Sequence, residues 1–138
     1  MNNNSYIELK SIQMLDGEKD IIEVCVRGQV EKTDNGYVVN YTESADDGRE
    51  TFTKLTFKKG EATLERSGAA TYAMDFAEMQ STSMKLNTPY GMAELGIITE
   101  CVKVSKNDNI IDLEIIYSLM QGGQLMADTN LEMRVKLD

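Results

Sequence analysis

The chain contains no histidine, and that absence closes off most of the chemistry a domain of this size performs. No Ser-His-Asp or Cys-His arrangement is possible, and the commonest general base and metal ligand are both missing. Cys25 and Cys101 lie far apart without zinc-type spacing, and a single pair is a poor staple for a secreted scaffold, so both read as reduced thiols. The glycines fall at turns, and Arg66-Ser67-Gly68 has no helix after it, so no phosphate cradle is present. What remains is carboxylate chemistry through Glu43 or Glu94. No cofactor and no metal site are expected, and the chain reads as a non-enzyme.

Arg66 is the residue that stands out. It shares strand parity with Ala62 and Leu64, which directs a guanidinium with five donors toward the core, where its charge must be paired or wet. A structural role has it bonded to Glu43, Tyr41 or Tyr117, which face inward by the same alternation. A functional role makes it the anchor for a ligand carboxylate or phosphate, which arginine matches in two-point fashion. Both stay open. Tyr90, beside Pro89, either gates a barrel mouth or packs across a turn. Met74, Met84, Met120 and Met133 either line an adaptable apolar pocket or fill the core.

These residues need a scaffold, and the alternation specifies one. Ile22, Val24, Val26 and Val30 share one face of a strand, with Glu23, Arg27 and Gln29 on the other. Asp34-Asn35-Gly36 turns the chain, the glycine tolerating positive φ, before Tyr37, Val39 and Tyr41. Leu55 and Phe57 follow the Asp47-Gly48 turn signal, and Lys59-Gly60 turns the chain again. Tyr72, Met74 and Phe76 form a further strand; Phe76 to Met84 is poorly periodic and reads as a helical turn or loop. Pro89 sets a bend before Leu95, Ile97 and Thr99. Ile111 to Leu119 and Leu125 to Leu137 face each other across Gly122-Gly123, with Leu125 counted among the inward residues. Hairpins throughout predict an all-β fold, a single antiparallel up-and-down β-barrel of 8–10 strands over residues 1–138, since closure removes the exposed edges.

Subtracting 23 acidic from 14 basic residues gives a net charge of −9, which repels phosphate backbones and anionic lipid. No nucleic acid and no membrane partner is expected. Lys54, Lys58 and Lys59 form the densest basic group and read as a mixed solvated face. Without a secretory start or a membrane-length apolar run, the expected location is cytoplasmic. A monomer or weak homodimer is expected, the latter through an edge strand.

Glu65-Arg66-Ser67-Gly68, then Met74-Asp75-Phe76 and Thr88-Pro89-Tyr90-Gly91, resemble in that order the YwiB-like family of uncharacterised bacterial proteins, from about Ile21 to the C-terminus. The resemblance implies a calycin-like (lipocalin-like) barrel and no established activity. It supplies no ligand: the Gly-x-Trp signature of lipocalins cannot exist without tryptophan, and the Arg-x-Tyr clamp of fatty-acid-binding proteins is absent at Arg134.

Two functions therefore compete ahead of catalysis. The first is binding of a small amphipathic or anionic ligand inside the barrel, through Arg66, Glu43, Tyr41, Tyr117, Met74 and Tyr90; it expects a cavity of about 300 Å³ or more with Arg66 and a tyrosine on its wall. The alternative is a protein-interaction or regulatory module with a filled barrel, marked by an exposed apolar patch or an uncovered strand edge.

Overall fold

The protein, described by a computed structural model over residues 2–68, 71–88 and 90–137, is built from strands alone among those residues. In chain order they are β1 (Asn2–Leu15), β2 (Glu18–Lys32), β3 (Gly36–Ser44), β4 (Glu50–Lys58), β5 (Glu61–Gly68), β6 (Tyr72–Ala77), β7 (Ser81–Thr88), β8 (Gly91–Asn107), β9 (Ile110–Gln121) and β10 (Gln124–Leu137). All pair antiparallel in one sheet, in the order β6-β5-β4-β3-β2-β1-β10-β9-β8-β7. The first and last strands join the two runs of hairpins, with Ile7 opposite Val135 and Leu9 opposite Met133.

A sheet that is apolar on one face must cover that face, and this one curls until its two edges meet. Edges β6 and β7 are joined by the turn Glu78-Met79-Gln80, and main-chain bonds pin that turn to the far side of the sheet. The Met79 N–H donates to the Thr99 carbonyl at 2.9 Å, the Thr99 N–H to Gln80 at 3.1 Å, and the Gly60 N–H to Val102 at 3.2 Å. The result is the nearly closed antiparallel barrel that the alternation predicts. Its core holds Ile7, Val39, Leu55, Phe57, Phe76 and Ile111, all essentially without solvent contact.

Local chemistry departs from the sequence reading at four places. Residues before Ile22 carry a full strand, β1, whose Ile7 and Leu9 are buried between Tyr6, Glu8 and Lys10. Phe76 to Met84 is neither helical turn nor loop, but the end of β6, a tight turn with Met79 at φ 63°, and the start of β7. Gly36 does not take positive φ; a Cβ there would strike the Phe57 carbonyl oxygen, so close approach of β3 and β4 requires the glycine. Leu125 is exposed, because the ladder slips by one between Leu125 and Ala127 and a slip of one residue exchanges the faces of a strand.

Gly28 shapes the mouth. It is where the β2–β3 ladder ends, opposite Tyr41, so residues 18–27 of β2 continue with β1 alone on that side. A Cβ on Gly28 would lie 2.5 Å from both the Asn40 carbonyl oxygen and the Ile7 side chain. Gly28→Ala is therefore expected to lose about 1–3 kcal/mol in urea unfolding. The matched control is Gly96→Ala, whose nearest neighbour would be in ordinary contact at 3.5 Å; it is expected to change stability by less than about 1 kcal/mol. Equal losses in the two variants would disprove the close-approach account.

Candidate functional site

Register alone assembles a polar row on the inner wall. Tyr41 on β3 stands opposite Thr53 on β4, Thr53 opposite Arg66 on β5, and Arg66 opposite Tyr72 on β6. All four point inward because each is spaced by an even number of residues from buried neighbours such as Val39, Leu55, Leu64 and Met74. A second row crosses the other wall, with Thr99 on β8 opposite Tyr117 on β9 and Tyr117 opposite Thr129 on β10. The rows face one another: the Tyr117 phenol feels the charge of Arg66 and the Tyr72 phenol. Phe76 packs against Tyr117 with ring centroids 4.7 Å apart, and the Arg66 guanidinium lies 5.8 Å from the Tyr72 ring centroid. Glu43, two residues beyond Tyr41, completes the belt. Up-and-down connectivity places this belt toward the end of the barrel that holds the β3–β4, β5–β6 and β9–β10 connections.

The donors and acceptors of this belt are largely unspent. The Tyr41 hydroxyl, Glu43 Oε1, Thr53 Oγ1, Arg66 Nε, Thr99 Oγ1 and Thr129 Oγ1 are buried without a hydrogen bond. Thr53 and Arg66 are near enough to the Tyr41 hydroxyl to favour its ionised form, yet neither makes a hydrogen bond of good geometry to it. Among the described residues no carboxylate lies at ion-pair distance from Arg66. The Nη nitrogens of Arg66, the second oxygen of Glu43 and the hydroxyls of Tyr72 and Tyr117 are not among the sealed, unpartnered atoms, and Thr129 lies near enough to the Tyr117 hydroxyl to favour its ionised form.

Charge is kept on the guanidinium. Burial alone would lower its pKa, but the phenols of Tyr72 and Tyr41 and the Glu43 carboxylate outweigh that and hold it above its ordinary value. Burial pushes the Tyr41 phenol up, with Arg66 opposing and Glu43 adding. Tyr117 rises for the same reason, with Thr129 opposing, Tyr72 adding and Arg66 opposing.

The fold thus brings together Arg66, Glu43, Tyr41 and Tyr117 and adds Tyr72, Thr53, Thr99 and Thr129, which the sequence reading did not place at the site. Tyr72 was findable, since it shares parity with Met74 and Phe76; the two threonines on β8 and β10 were not, because their approach depends on closure. Met74 and Met133 are buried in the core below the belt, Met84 is buried opposite Leu95 toward the belt's end of the barrel, and Met120 alternates to the outer side. Tyr90 is wholly exposed and stands outside the belt, and Pro89 beside it lies outside the described residues. Glu94 is exposed opposite Lys85 on the outer face.

Two hollows are prominent, and both differ from the expected chamber. One of about 670 Å³ crosses β1, β2, β8, β9 and β10 beside charged residues such as Glu8, Lys10, Lys103 and Arg134. The other, about 220 Å³, touches Arg66 but is bounded by exposed Asn40, Phe52, Lys54, Glu65 and Ser67 and has no tyrosine on its wall. These neighbours point outward, so Arg66 and Thr53 border this hollow through their main chain while their side chains serve the inner belt.

A family model described as a domain of unknown function (DUF1934) matches residues 7–133, nearly the entire barrel. The chain belongs to the DUF1934 family. A solved structure, the crystal structure of ywiB protein from Bacillus subtilis, superposes on this DUF1934 chain with a TM-score of 0.85. It shares 23% sequence identity and covers 99% of this chain and 93% of its own, so the fold is common to both. No curated protein matches the chain. Among the described residues no helix is long and apolar enough to cross a membrane, and no group of side chains is arranged to hold a metal ion.

The raised phenols give a pH dependence. A phenol whose pKa is higher folded than unfolded contributes stability that is fully present below the unfolded value of 10.0 and is lost as pH rises from there through the folded value. Urea unfolding is therefore expected to show a decline setting in near pH 10, blunted in a Tyr41→Phe/Tyr117→Phe double variant. Identical declines in both proteins would show that these phenols titrate normally.

Proposed function

We propose that this DUF1934 protein is a binding protein for a small amphipathic anion, with Arg66 as the anchor of its charged group. One observation carries the reading: Arg66 is a part-buried guanidinium with no carboxylate at ion-pair distance and a buried Nε without a hydrogen bond, its neighbours being the phenols of Tyr41 and Tyr72. Keeping such a charge partly out of bulk water without a counter-ion at contact distance costs free energy, and sites that do so tend to be shaped for a ligand. Phe76, Tyr72 and Tyr117 supply an aromatic surface for the ligand's apolar part. The calycin-like architecture implied by the sequence resemblance suits the same use.

The test uses hydrocinnamate, an aryl carboxylate of suitable size, in isothermal titration. Wild type is expected to bind it, and Arg66→Met to bind at least about 10-fold more weakly, one charge-assisted contact being worth about 1.5–3 kcal/mol. Because no internal ion pair is broken, Arg66→Met is expected to stay within about 1 kcal/mol of wild-type stability. Equal binding by both proteins would sink the proposal, as would a loss of about 3 kcal/mol or more with no binding in either.

A protein-interaction module is the second reading, and exposed apolar side chains favour it. Met14, Leu15, Ile21 and Ile22 at the tip of the β1–β2 hairpin, and Leu125 and Met126 after the β9–β10 turn, are all 39% exposed or more at one end of the barrel. Self-association through them is expected to appear as concentration-dependent sedimentation that Ile22→Asp/Leu125→Asp abolishes; a monomer at every concentration would remove that role.

A further inference from the structure

The belt holds two opposite charges that do not meet. Glu43 and Arg66 face the same interior, and the carboxylate supports the guanidinium's charge from a distance, yet no ion pair joins them. Register explains the gap. Tyr41 and Arg66 lie in one row across β3, β4 and β5, while Glu43 lies in the next inward row, with Thr51 and Gly68. The two Cα atoms are thus separated by two strand spacings, about 9.6 Å, and by two residues along the strand, about 6.6 Å. Each side chain presents the same pattern: one buried atom without a partner, Glu43 Oε1 and Arg66 Nε.

We infer that the ligand of this site is a zwitterion, specifically an α-amino acid with an apolar or aromatic side chain, its carboxylate on Arg66 and its ammonium on Glu43. This rests on the reading of Arg66 as a ligand anchor and narrows it. Charge balance favours the zwitterion. Arg66 and the Glu43 carboxylate sum to zero; a plain anion would leave the niche net negative in a chain already at −9. At about 7 Å and an effective dielectric near 20, the unrelieved repulsion corresponds to about a 50-fold loss in affinity. Size agrees as well. An ammonium and carboxylate on one carbon are about 3 Å apart, and a charge-assisted hydrogen bond of about 2.8 Å at each end extends the span to about 8 Å, within the reach of a glutamate and an arginine on these Cα positions. Tyr41, whose buried hydroxyl lies near Arg66, belongs to the same strand as Glu43 and the same row as Arg66, so it lies between the two poles. The aromatic pair Phe76–Tyr117 and the Tyr72 ring then face the ligand's side chain.

Isothermal titration with L-phenylalanine and hydrocinnamate, which differ by the amino group alone, separates this inference from the one beneath it. Wild type is expected to bind phenylalanine about 10- to 100-fold more tightly than hydrocinnamate. Glu43→Gln is expected to abolish that preference while retaining hydrocinnamate binding, and Arg66→Met to weaken both. If hydrocinnamate binds through Arg66 and phenylalanine is no tighter, the zwitterion is wrong and the anion reading survives. A preference for phenylalanine that persists in folded Glu43→Gln also overturns the assignment, and binding of neither compound overturns both readings.

Discussion

Everything in this molecule depends on the inward–outward alternation of a sheet that closes on itself. Ten strands with one apolar face must either curl or pack as two sheets, and here the main-chain bonds from Met79, Thr99 and Gly60 hold the curl where hairpin pairing ends. Once closed, the barrel has a fixed interior, and any polar side chain on an inward position becomes a partly desolvated group with few neighbours able to satisfy it. Arg66 and the hydroxyls about it are consequences of that constraint before they are a site.

The interior is divided along its axis. Phe57, Phe76, Leu55 and Ile111 fill one part as a close-packed apolar core, and the tyrosine, threonine and arginine rows occupy the part toward the β5–β6 connection. Packing in the first is what permits polarity in the second. The β2–β3 ladder ends at Gly28 and leaves the β1–β2 hairpin projecting past it. Opening the sheet there costs pairing only at the end where the polar belt already weakens the core. Catalysis has no comparable support: Glu94 is on the outer surface and Glu43 faces an arginine, so the two acids do not form a pair.

Fold class, strand parity and the inward direction of Arg66, Tyr41, Glu43 and Tyr117 were legible because period-two alternation is a local property, written in residues two apart. The same rule explains the errors. Leu125 lies outward because a bulge shifts the register by one, and a bulge leaves little mark on composition. β1 was passed over because its asparagine-rich start hides the Ile7–Leu9 alternation, and its stability comes from pairing with β2 and with β10, far away in sequence. Gly36 looked like a turn glycine of positive φ and proved to be a close-approach glycine, a distinction set by Phe57 on the neighbouring strand.

By itself, then, the sequence determined what each strand would bury, because burial of one face follows from spacing along a single chain. It also excluded histidine-dependent chemistry outright. Only the tertiary structure decided who meets whom across the barrel: that Tyr72 and Thr53 flank Arg66, that Thr99, Tyr117 and Thr129 face it, and that Glu43 stays one row short of pairing with it. Those relations depend on register and closure, which are properties of strands brought together from distant parts of the chain.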